Sequence, residues 1–216
     1  MVGRVPGVEV TRDKWETLRA LEPAHVGAVR ELGFGWEDLW RAEQVHGAEL
    51  AVVPRDAAGG RPATEGERIV AGVDGLLTNQ SGVLLGIYVA DCAAVYLADR
   101  RTGAAGLVHS GRQGTELGIV PRAIGRMGEE FGTRPEEVVA VVSPCIRPPR
   151  YEVDIAGEIV RQLRDAGVPE AQVTDSGICT GADLGHYYSY RVEKGKTGRM
   201  LALLGRIGEE RPRHEG

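Results

Sequence analysis

Three residues of this sequence, Cys92, His109 and His46, have side chains that bind soft metals or carry nucleophilic chemistry. Cys92 comes two residues after an apolar run at 82–90, and His109 lies near the end of a second apolar run at 104–110, ahead of a Gly-rich loop. Apolar runs of this length, rich in Val, Ile, Leu and Tyr and bounded by Gly, are typical of buried strands. Strand ends beside Gly-rich loops hold reactive side chains in fixed positions, so the sequence predicts a functional site here.

The spacing of Cys92 and His109 corresponds to one β-hairpin. A predicted strand at 94–100 and a short polar turn separate Cys92 from the strand that carries His109, so the two side chains are expected at neighbouring strand ends. His46 precedes a further predicted strand at 48–54, beside a glycine. Only the fold can bring His46 to the other two.

Three interpretations of these residues remain open from the residues alone. Two imidazoles and one thiolate make an open zinc site, with a fourth position free for water or substrate. Alternatively, Cys92 is a nucleophile with His109 or His46 as its base, as in cysteine hydrolases. In the third interpretation Cys92 is a buried core cysteine and His109 a hydrogen-bonded core histidine.

A basic cluster near the C-terminus is the second candidate binding feature. Arg191, Lys196 and Arg199 are interleaved with glycines and either hold a phosphate through charge-assisted hydrogen bonds or form a solvated loop. His186 lies among tyrosines and is expected to stack on them or to face solvent. The sequence contains neither a P-loop nor a dinucleotide-binding fingerprint.

The elements that position these residues alternate irregularly between strand and helix. This order predicts a mixed α/β (α+β) fold, a mixed β-sheet core flanked by helices. The predicted helices are 13–21, 24–32, 115–131 with a kink or restart at Pro121, and 154–166 capped by Asp154. The predicted strands are 48–54, 82–90, 94–100, 104–110, 136–142 and 173–179, while 200–207 is a strand or a helix. Residues 55–68 and 143–153 are expected to be irregular, and Asp74 either forms a turn with Gly75 or has a buried polar role.

Length and composition narrow the class of protein. A chain of 216 residues with a net charge of −5 is expected to form one domain over 1–216, without a broad nucleic-acid surface. No apolar run approaches the roughly 18 residues of a membrane span, and the N-terminus has no signal-peptide pattern. The 3 cysteines are far apart, which favours a reducing compartment, with Cys145 and Cys179 as packing residues. We therefore expect a cytoplasmic protein without a membrane partner.

Six short motifs occur in the order and approximate spacing of the YfiH-like family, also called laccase-domain proteins, which includes purine nucleoside phosphorylases and the peptidoglycan editing factor. The sequence resembles this family from about residue 25 to residue 207. The motifs are Gln44-Val45-His46-Gly47, Ala90-Asp91-Cys92, Val108-His109-Ser110-Gly111, Pro144 to Val153, Cys179-Thr180, and Ser189-Tyr190-Arg191 with Thr197-Gly198-Arg199.

The resemblance implies a fold, a metal and an activity. It matches His46, Cys92 and His109 to the family's metal site, with zinc as the expected ion and copper as the alternative. The implied fold is similar to that of the cytotoxic necrotising factors, a cysteine-hydrolase-like α/β arrangement. Family members phosphorolyse adenosine, inosine and methylthioadenosine and deaminate adenosine, so a purine nucleoside and phosphate are the expected small-molecule substrates.

The segment after His109 departs from the family pattern. The family has His-Ala-Gly-Trp-Arg/Lys-Gly, whereas Ser110, Arg112 and Gln113 stand here in place of Ala, Trp and Arg or Lys. We expect Arg191 or Arg112 to bind phosphate and Gln44 to contact substrate.

The leading hypothesis is a metal-dependent purine nucleoside phosphorylase with adenosine deaminase activity, in which His46, Cys92 and His109 are catalytic. The alternatives are a metal-independent cysteine hydrolase or amidase of peptidoglycan precursors and a degenerate member that binds a nucleoside without turnover. A copper polyphenol oxidase ranks last, because 5 histidines are too few for a multicopper centre.

Overall fold

The computed structural model describes residues 1–54 and 68–208. The helices are α1 (Lys14–Glu31), α2 (Arg112–Glu116), α3 (Ile119–Phe131) and α4 (Ile155–Asp165). The strands are β1 (Leu39–Ala42), β2 (Leu50–Val52), β3 (Arg68–Val70), β4 (Gly75–Thr78), β5 (Leu84–Val89), β6 (Ala93–Asp99), β7 (Ala105–Ser110), β8 (Val138–Val142), β9 (Val173–Asp175) and β10 (Met200–Gly205). None of the helices in the described ranges is both long and apolar enough to cross a membrane.

The strands form two mixed sheets rather than one. The smaller sheet has the order β10-β5-β1-β3, and the larger has the order β2-β4-β7-β6-β8-β9. In the smaller sheet β1 pairs in parallel with β3 and β5, while β10 is antiparallel to β5. The predicted mixed α/β class is therefore confirmed. The division into two sheets was not predicted, because parallel partners are far apart in sequence.

The two sheets pack face to face. Leu85 and Ile87 of β5 belong to the same buried cluster as Leu76 of β4 and Leu107 of β7. The opposite face of β5 packs against α1, where Tyr88 lies in one cluster with Leu18. Helices α3 and α4 cover the far face of the larger sheet through a separate buried cluster. Because β5 is covered on both sides, all of its residues are buried, as expected for a continuous apolar run.

Helix α1 corrects the sequence prediction of two helices at 13–21 and 24–32. Asp13 caps a single helix by accepting a hydrogen bond from the Glu16 N–H at 2.7 Å, and the helix continues through Pro23. An internal proline costs about 3 kcal/mol. The buried stripe Leu18, Leu21, His25 and Val29 runs across the proline position at helical spacing, and its burial offsets that cost.

Most of the other predicted elements are confirmed with shorter bounds. Strands β6 and β7 form the predicted hairpin, with Ala94 opposite His109. Helix 115–131 is divided into α2 and α3 at Gly118, and Pro121 lies in the first turn of α3. Residues 200–207 contain a strand and no helix, and 173–179 contains only the three residues of β9. Asp154 caps α4 as predicted. The predicted loop at 55–68 lies outside the described residues except for Arg68.

The chain passes from the smaller sheet to the larger one three times in the same direction. The crossings are residues 43–49 between β1 and β2, 71–74 between β3 and β4, and 90–92 between β5 and β6. They lie side by side, since the Gln44 N–H donates to the Val73 carbonyl and the Gln44 side chain bonds the backbone of Tyr88. These three crossings carry His46, Asp74 and Cys92, and His109 lies beside them on β7.

Candidate functional site

His46, Cys92 and His109 come together at the edge where the crossings meet. One ligand atom from each lies within 4.8 Å of the other two, the only such group of three among residues 1–54 and 68–208. The imidazole rings of His46 and His109 are edge to face, with centroids 4.9 Å apart. The predicted meeting of Cys92 and His109 across the hairpin is confirmed, and the first crossing brings in His46.

Asp74 organises this cluster and is completely buried. Its Oδ1 accepts hydrogen bonds from His109 Nδ1 at 2.8 Å and from the His46 backbone N–H at 2.9 Å. Its Oδ2 accepts from the backbone N–H groups of Gly47 at 2.7 Å and Val45 at 3.1 Å. The predicted turn at Asp74-Gly75 is therefore wrong, whereas the alternative of a buried polar role is right. The carboxylate fixes the His109 ring and the backbone that carries His46.

Backbone strain is concentrated on the crossings. Gln44, His46 and Asp91 have positive φ angles of 64°, 62° and 85°, a conformation that non-glycine residues rarely adopt. Each such residue costs of order 1–3 kcal/mol, which contacts with its surroundings must offset, and such strain is concentrated at functional sites. The Asp74 carboxylate and the Gln44–Tyr88 hydrogen bonds supply that support.

Gly111, the last residue of the Val108-His109-Ser110-Gly111 motif, lies close to the Cys92 and His46 side chains. A Cβ atom on Gly111 would lie 2.6 Å from Cys92 Sγ and 3.7 Å from the His46 ring. Only glycine therefore leaves room for the thiol beside the imidazoles.

The two histidines of the cluster lower the pKa of the Cys92 thiol. Burial opposes ionisation of Cys92, but hydrogen bonds and charge from His109 and His46 outweigh it and lower the thiol pKa to about 6. Burial likewise opposes the charged form of His109, but Asp74 and Cys92 raise the His109 pKa to about 9. Without a metal, both shifts favour the thiolate and imidazolium forms of this pair over the thiol and neutral imidazole.

The donor set fits a borderline-soft metal ion. One thiolate and two imidazoles are ligands that zinc and copper accept, and three protein ligands leave a position open. The Nδ1 atom of His109 is held by Asp74, which leaves Nε2 for the cluster. A carboxylate behind a histidine ligand is the usual arrangement that fixes the tautomer of that ligand.

A cavity of about 460 Å³ opens over the cluster. This volume suits a small organic ligand. Besides the three cluster residues, its walls are formed by Lys14, Gln44, Tyr88, Ala90, Asp91, Ile146, Tyr151, Ile155, Tyr190, Arg191 and Arg199.

The predicted binding residues are distributed unevenly around this cavity. Gln44 lines it, and its amide is fixed by bonds to the backbone of Tyr88 at 2.6 and 2.8 Å. Arg191 also lines it, donating to Glu152 at 2.8 Å. Arg112 is exposed outside the lining and pairs with Glu116 at 2.9 Å, so its contact with phosphate stays a prediction.

Several other predicted residues lie away from the cavity. Gln113 is exposed like Arg112, so two of the three departures after His109 are on the outer surface, while Ser110 is buried. Lys196 is also exposed, and His186 bonds Asp183 at 2.8 Å in solvent. Cys145 is buried and Cys179 half-buried, as packing residues should be.

The sequence pattern gave no signal for two wall residues. Lys14, the first residue of α1, has the sequence context of an ordinary helix start, yet it lines the cavity. Asp91 was part of a motif without a role. Its carboxylate accepts bonds from the Thr180 hydroxyl at 2.8 Å and the Arg191 N–H at 2.7 Å, which attaches the C-terminal wall to the third crossing.

Comparisons with known proteins agree with the motif order. The profile of a family described as multi-copper polyphenol oxidoreductase laccase matches residues 20–157 and 153–207. A purine nucleoside phosphorylase of Deinococcus radiodurans is 37% identical over 212 residues, covering 86% of this chain and 75% of that protein. The purine nucleoside phosphorylase YlmD of Geobacillus stearothermophilus is 31% identical over 208 residues, covering 82% of this chain and 76% of that protein.

Solved structures agree as well. The crystal structure of YlmD from Geobacillus stearothermophilus superposes with a TM-score of 0.78 at 26% identity, covering 95% of this chain and 88% of that chain. The YfiH protein of Bacillus licheniformis has the same fold, with a TM-score of 0.81 at 21% identity and coverage of 94% and 88%. The resemblance and the fold expected from the six motifs are thus confirmed.

Proposed function

The chain belongs to the multi-copper polyphenol oxidoreductase laccase family, and within it we propose that the protein is a purine nucleoside phosphorylase. The observation that carries the proposal is the His46, Cys92 and His109 cluster at a cavity large enough for a nucleoside. Relatives at 37% and 31% identity that bear the name purine nucleoside phosphorylase support it. The proposed substrates are adenosine, inosine and methylthioadenosine, with deamination of adenosine as a second reaction.

In phosphorolysis a phosphate oxygen forms a bond to C1′ of the ribose while the bond from C1′ to the purine breaks. The bonding pair leaves with the purine, which takes up a proton, and the sugar passes through an oxocarbenium-like state. The protein must align phosphate, ribose and base and stabilise the charge that develops.

The cavity walls offer matching surfaces. Tyr151 and Tyr190 present aromatic faces, and Ile146 and Ile155 add apolar surface suited to a purine ring. Gln44 presents an amide that cannot rotate freely, because both of its polar atoms bond Tyr88. Arg191 stands at the wall with its guanidinium 4.7 Å from the Tyr151 ring centre.

His46, Cys92 and His109 would hold a zinc ion, with copper as the alternative. A zinc ion bound there supplies Lewis acidity to whatever group occupies its open position. Asp74 keeps the proton of His109 on Nδ1, so Nε2 is free to act as a ligand.

A second candidate function uses the same residues without a metal. Cys92, His109 and Asp74 form a chain of thiol, imidazole and carboxylate, and the pKa of the thiol is lowered to about 6. This is the arrangement of a cysteine hydrolase, in which the thiolate attacks a carbonyl or amidine carbon. Activity that survives chelation would favour this candidate.

The deciding experiment is chromatography of adenosine and inosine incubated with zinc-loaded protein, with and without phosphate. We expect free purine and ribose 1-phosphate, only when phosphate is present. Cys92→Ser should lose both the metal and the products, whereas Cys179→Ser, a change at a half-buried thiol outside the cavity, should keep both. Inosine from adenosine without free base would indicate deamination alone. Nucleoside binding without any product would indicate a degenerate member and contradict the proposal.

A further inference from the structure

The cationic side chains near the cavity differ in their ionic partners. Arg191 pairs with Glu152 at 2.8 Å, and Arg112 pairs with Glu116 at 2.9 Å. Lys14 and Arg199 line the cavity and form no ion pair with any residue in the described ranges. Arg191 and Arg112 are thus already paired with carboxylates, whereas Lys14 and Arg199, the latter part of the predicted basic cluster, are not.

Arg199 is held in place by contacts with neutral groups rather than by an ion pair. Its Nη1 donates to the carbonyls of Gly198 at 2.8 Å and Thr197 at 3.4 Å, and its guanidinium lies 5.6 Å from the Tyr190 ring centre. The other N–H groups of this guanidinium donate to no described residue. An anchored guanidinium with free donors is suited to bind an oxyanion.

Lys14 faces the same space from the start of α1. Its Nζ lies 5.2 Å from the Trp15 ring centre, a contact that does not neutralise an ammonium group. Burial lowers the pKa of Lys14 and the positive charge of Arg199 lowers it further, while the charges of Glu43 and Asp74 raise it without reversing the shift. Burial also lowers the pKa of Arg199. Two partly desolvated cations that repel each other are stabilised when an anion binds near both.

The acidic groups of the cavity are engaged elsewhere. The oxygens of Asp91 accept from the Thr180 hydroxyl and the Arg191 N–H, and the Asp74 carboxylate is occupied by four donors. The Cys92 thiolate belongs to the candidate metal ligands. Glu43 and Asp74 attract Lys14, and Asp91 attracts Arg199, but none of these carboxylates forms an ion pair with either cation.

We propose that Lys14 and Arg199 form an oxyanion subsite of the cavity that binds a phosphate group. Under the proposed function this group is the attacking inorganic phosphate, and the same chemistry would also hold the 5′-phosphate of a nucleotide. Lys14 lies outside all six family motifs and before residue 20, where the family match begins. Lys14 is thus the part of the subsite that this chain's N-terminal segment adds, whereas Arg199 belongs to the family motif Thr197-Gly198-Arg199.

The direct test is calorimetric titration of inorganic phosphate into zinc-loaded wild type, Lys14→Met, Lys14→Arg and Arg199→Met. Methionine keeps an unbranched stem and removes the charge. Loss of one charge-assisted contact should weaken phosphate binding about 10- to 100-fold in Lys14→Met and Arg199→Met, and Lys14→Arg should recover most of it. Lys194→Met, at an exposed lysine outside the cavity, is the matched control and should bind phosphate like wild type.

Steady-state kinetics then separates positioning from general damage. Lys14→Met should raise the KM for phosphate by the same factor and change the KM for nucleoside less than about twofold. A parallel titration with adenosine 5′-monophosphate distinguishes inorganic phosphate from a nucleotide phosphate as the ligand. If wild type does not bind inorganic phosphate, and Lys14→Met binds the monophosphate more weakly than wild type does, the subsite is assigned to a nucleotide.

Two results would overturn the subsite: equal phosphate affinity in wild type and Lys14→Met, or folded wild type that binds neither phosphate nor the monophosphate. Failure of the proposed function looks different. If no nucleoside is phosphorolysed while phosphate binding still depends on Lys14, the oxyanion subsite stands and the phosphorylase is rejected.

Discussion

Asp74→Asn is the substitution that most directly perturbs the candidate metal site without touching a ligand. Each oxygen of the carboxylate accepts two N–H groups: Oδ1 those of His109 and His46, and Oδ2 those of Gly47 and Val45. Asparagine keeps one acceptor and turns an NH₂ group toward the other pair of donors. If the NH₂ group replaces Oδ2, the N–H groups of Gly47 and Val45 lose their acceptor. If it replaces Oδ1, the His46 N–H loses its acceptor, and His109 keeps a hydrogen bond only by moving its proton to Nε2, the atom needed for a metal.

The magnitude follows from those four bonds. Hydrogen bonds to a charged group contribute about 1.5–3 kcal/mol each, so losing one or two predicts a destabilisation of about 2–5 kcal/mol after some relaxation. That is a large share of a typical stability of roughly 5–15 kcal/mol. Because His109 is also less firmly oriented, zinc affinity should fall about 10- to 100-fold.

The assay has two parts, so that metal binding and folding are measured apart. Urea unfolding of metal-free protein gives the stability change, and competition with a chromophoric chelator gives the zinc affinity. Asp183→Asn is the matched control, because Asp183 accepts from His186 Nδ1 at the same 2.8 Å on an exposed surface. It should change stability by less than about 0.5 kcal/mol. Stability within about 1 kcal/mol of wild type in Asp74→Asn, with unchanged zinc affinity, would refute the assigned role of Asp74.

Two further predictions concern space and protonation. Gly111→Ala places a Cβ 2.6 Å from Cys92 Sγ and should lower zinc affinity at least about tenfold by displacing the thiol. Gly125→Ala is the control, because its Cβ meets no atom within 4 Å, and it should leave zinc affinity unchanged. Chelator competition measures the zinc affinity of both variants. Burial lowers the pKa of His25 to about 4, so folding favours its neutral form and stability should fall as pH drops from 6.5 toward 4. The loss in the free energy of unfolding approaches about 3 kcal/mol. Urea unfolding at several pH values across this range should show that this free energy depends less steeply on pH in His25→Leu than in wild type. Identical pH dependence in the two proteins would contradict the assignment.

Local sequence patterns predicted the parts of the fold that depend on neighbouring residues. The β6–β7 hairpin was predictable because its two apolar runs are separated by one short turn and pair directly. The division into two sheets was not, because β1 pairs with β3 and β5 across gaps that no local pattern specifies. The continuity of α1 through Pro23 was missed, since the buried stripe that sustains the helix depends on tertiary packing.

The candidate site shows the same division. Cys92 and His109 were placed together from hairpin spacing, while His46 joined them only through the family resemblance, because its position depends on a crossing between sheets. Asp74 was left between two interpretations, since a buried carboxylate and a turn residue share the Asp-Gly signature. Lys14 gave no signal, because a lysine at a helix start has no distinguishing pattern until the helix is docked.

The three parallel crossings make the thickness of the apolar layer between the sheets part of the site. His46 is carried by a segment that leaves the smaller sheet, while His109 lies on a strand of the larger sheet, so their separation is set by how closely the sheets stack, ordinarily about 10 Å. Leu76, Ile87 and Leu107 fill that layer. Selection for a particular metal ion or metal–ligand distance can therefore act on the volume of aliphatic side chains that do not contact the metal. We expect substitutions that change the volume of this layer to alter metal preference first.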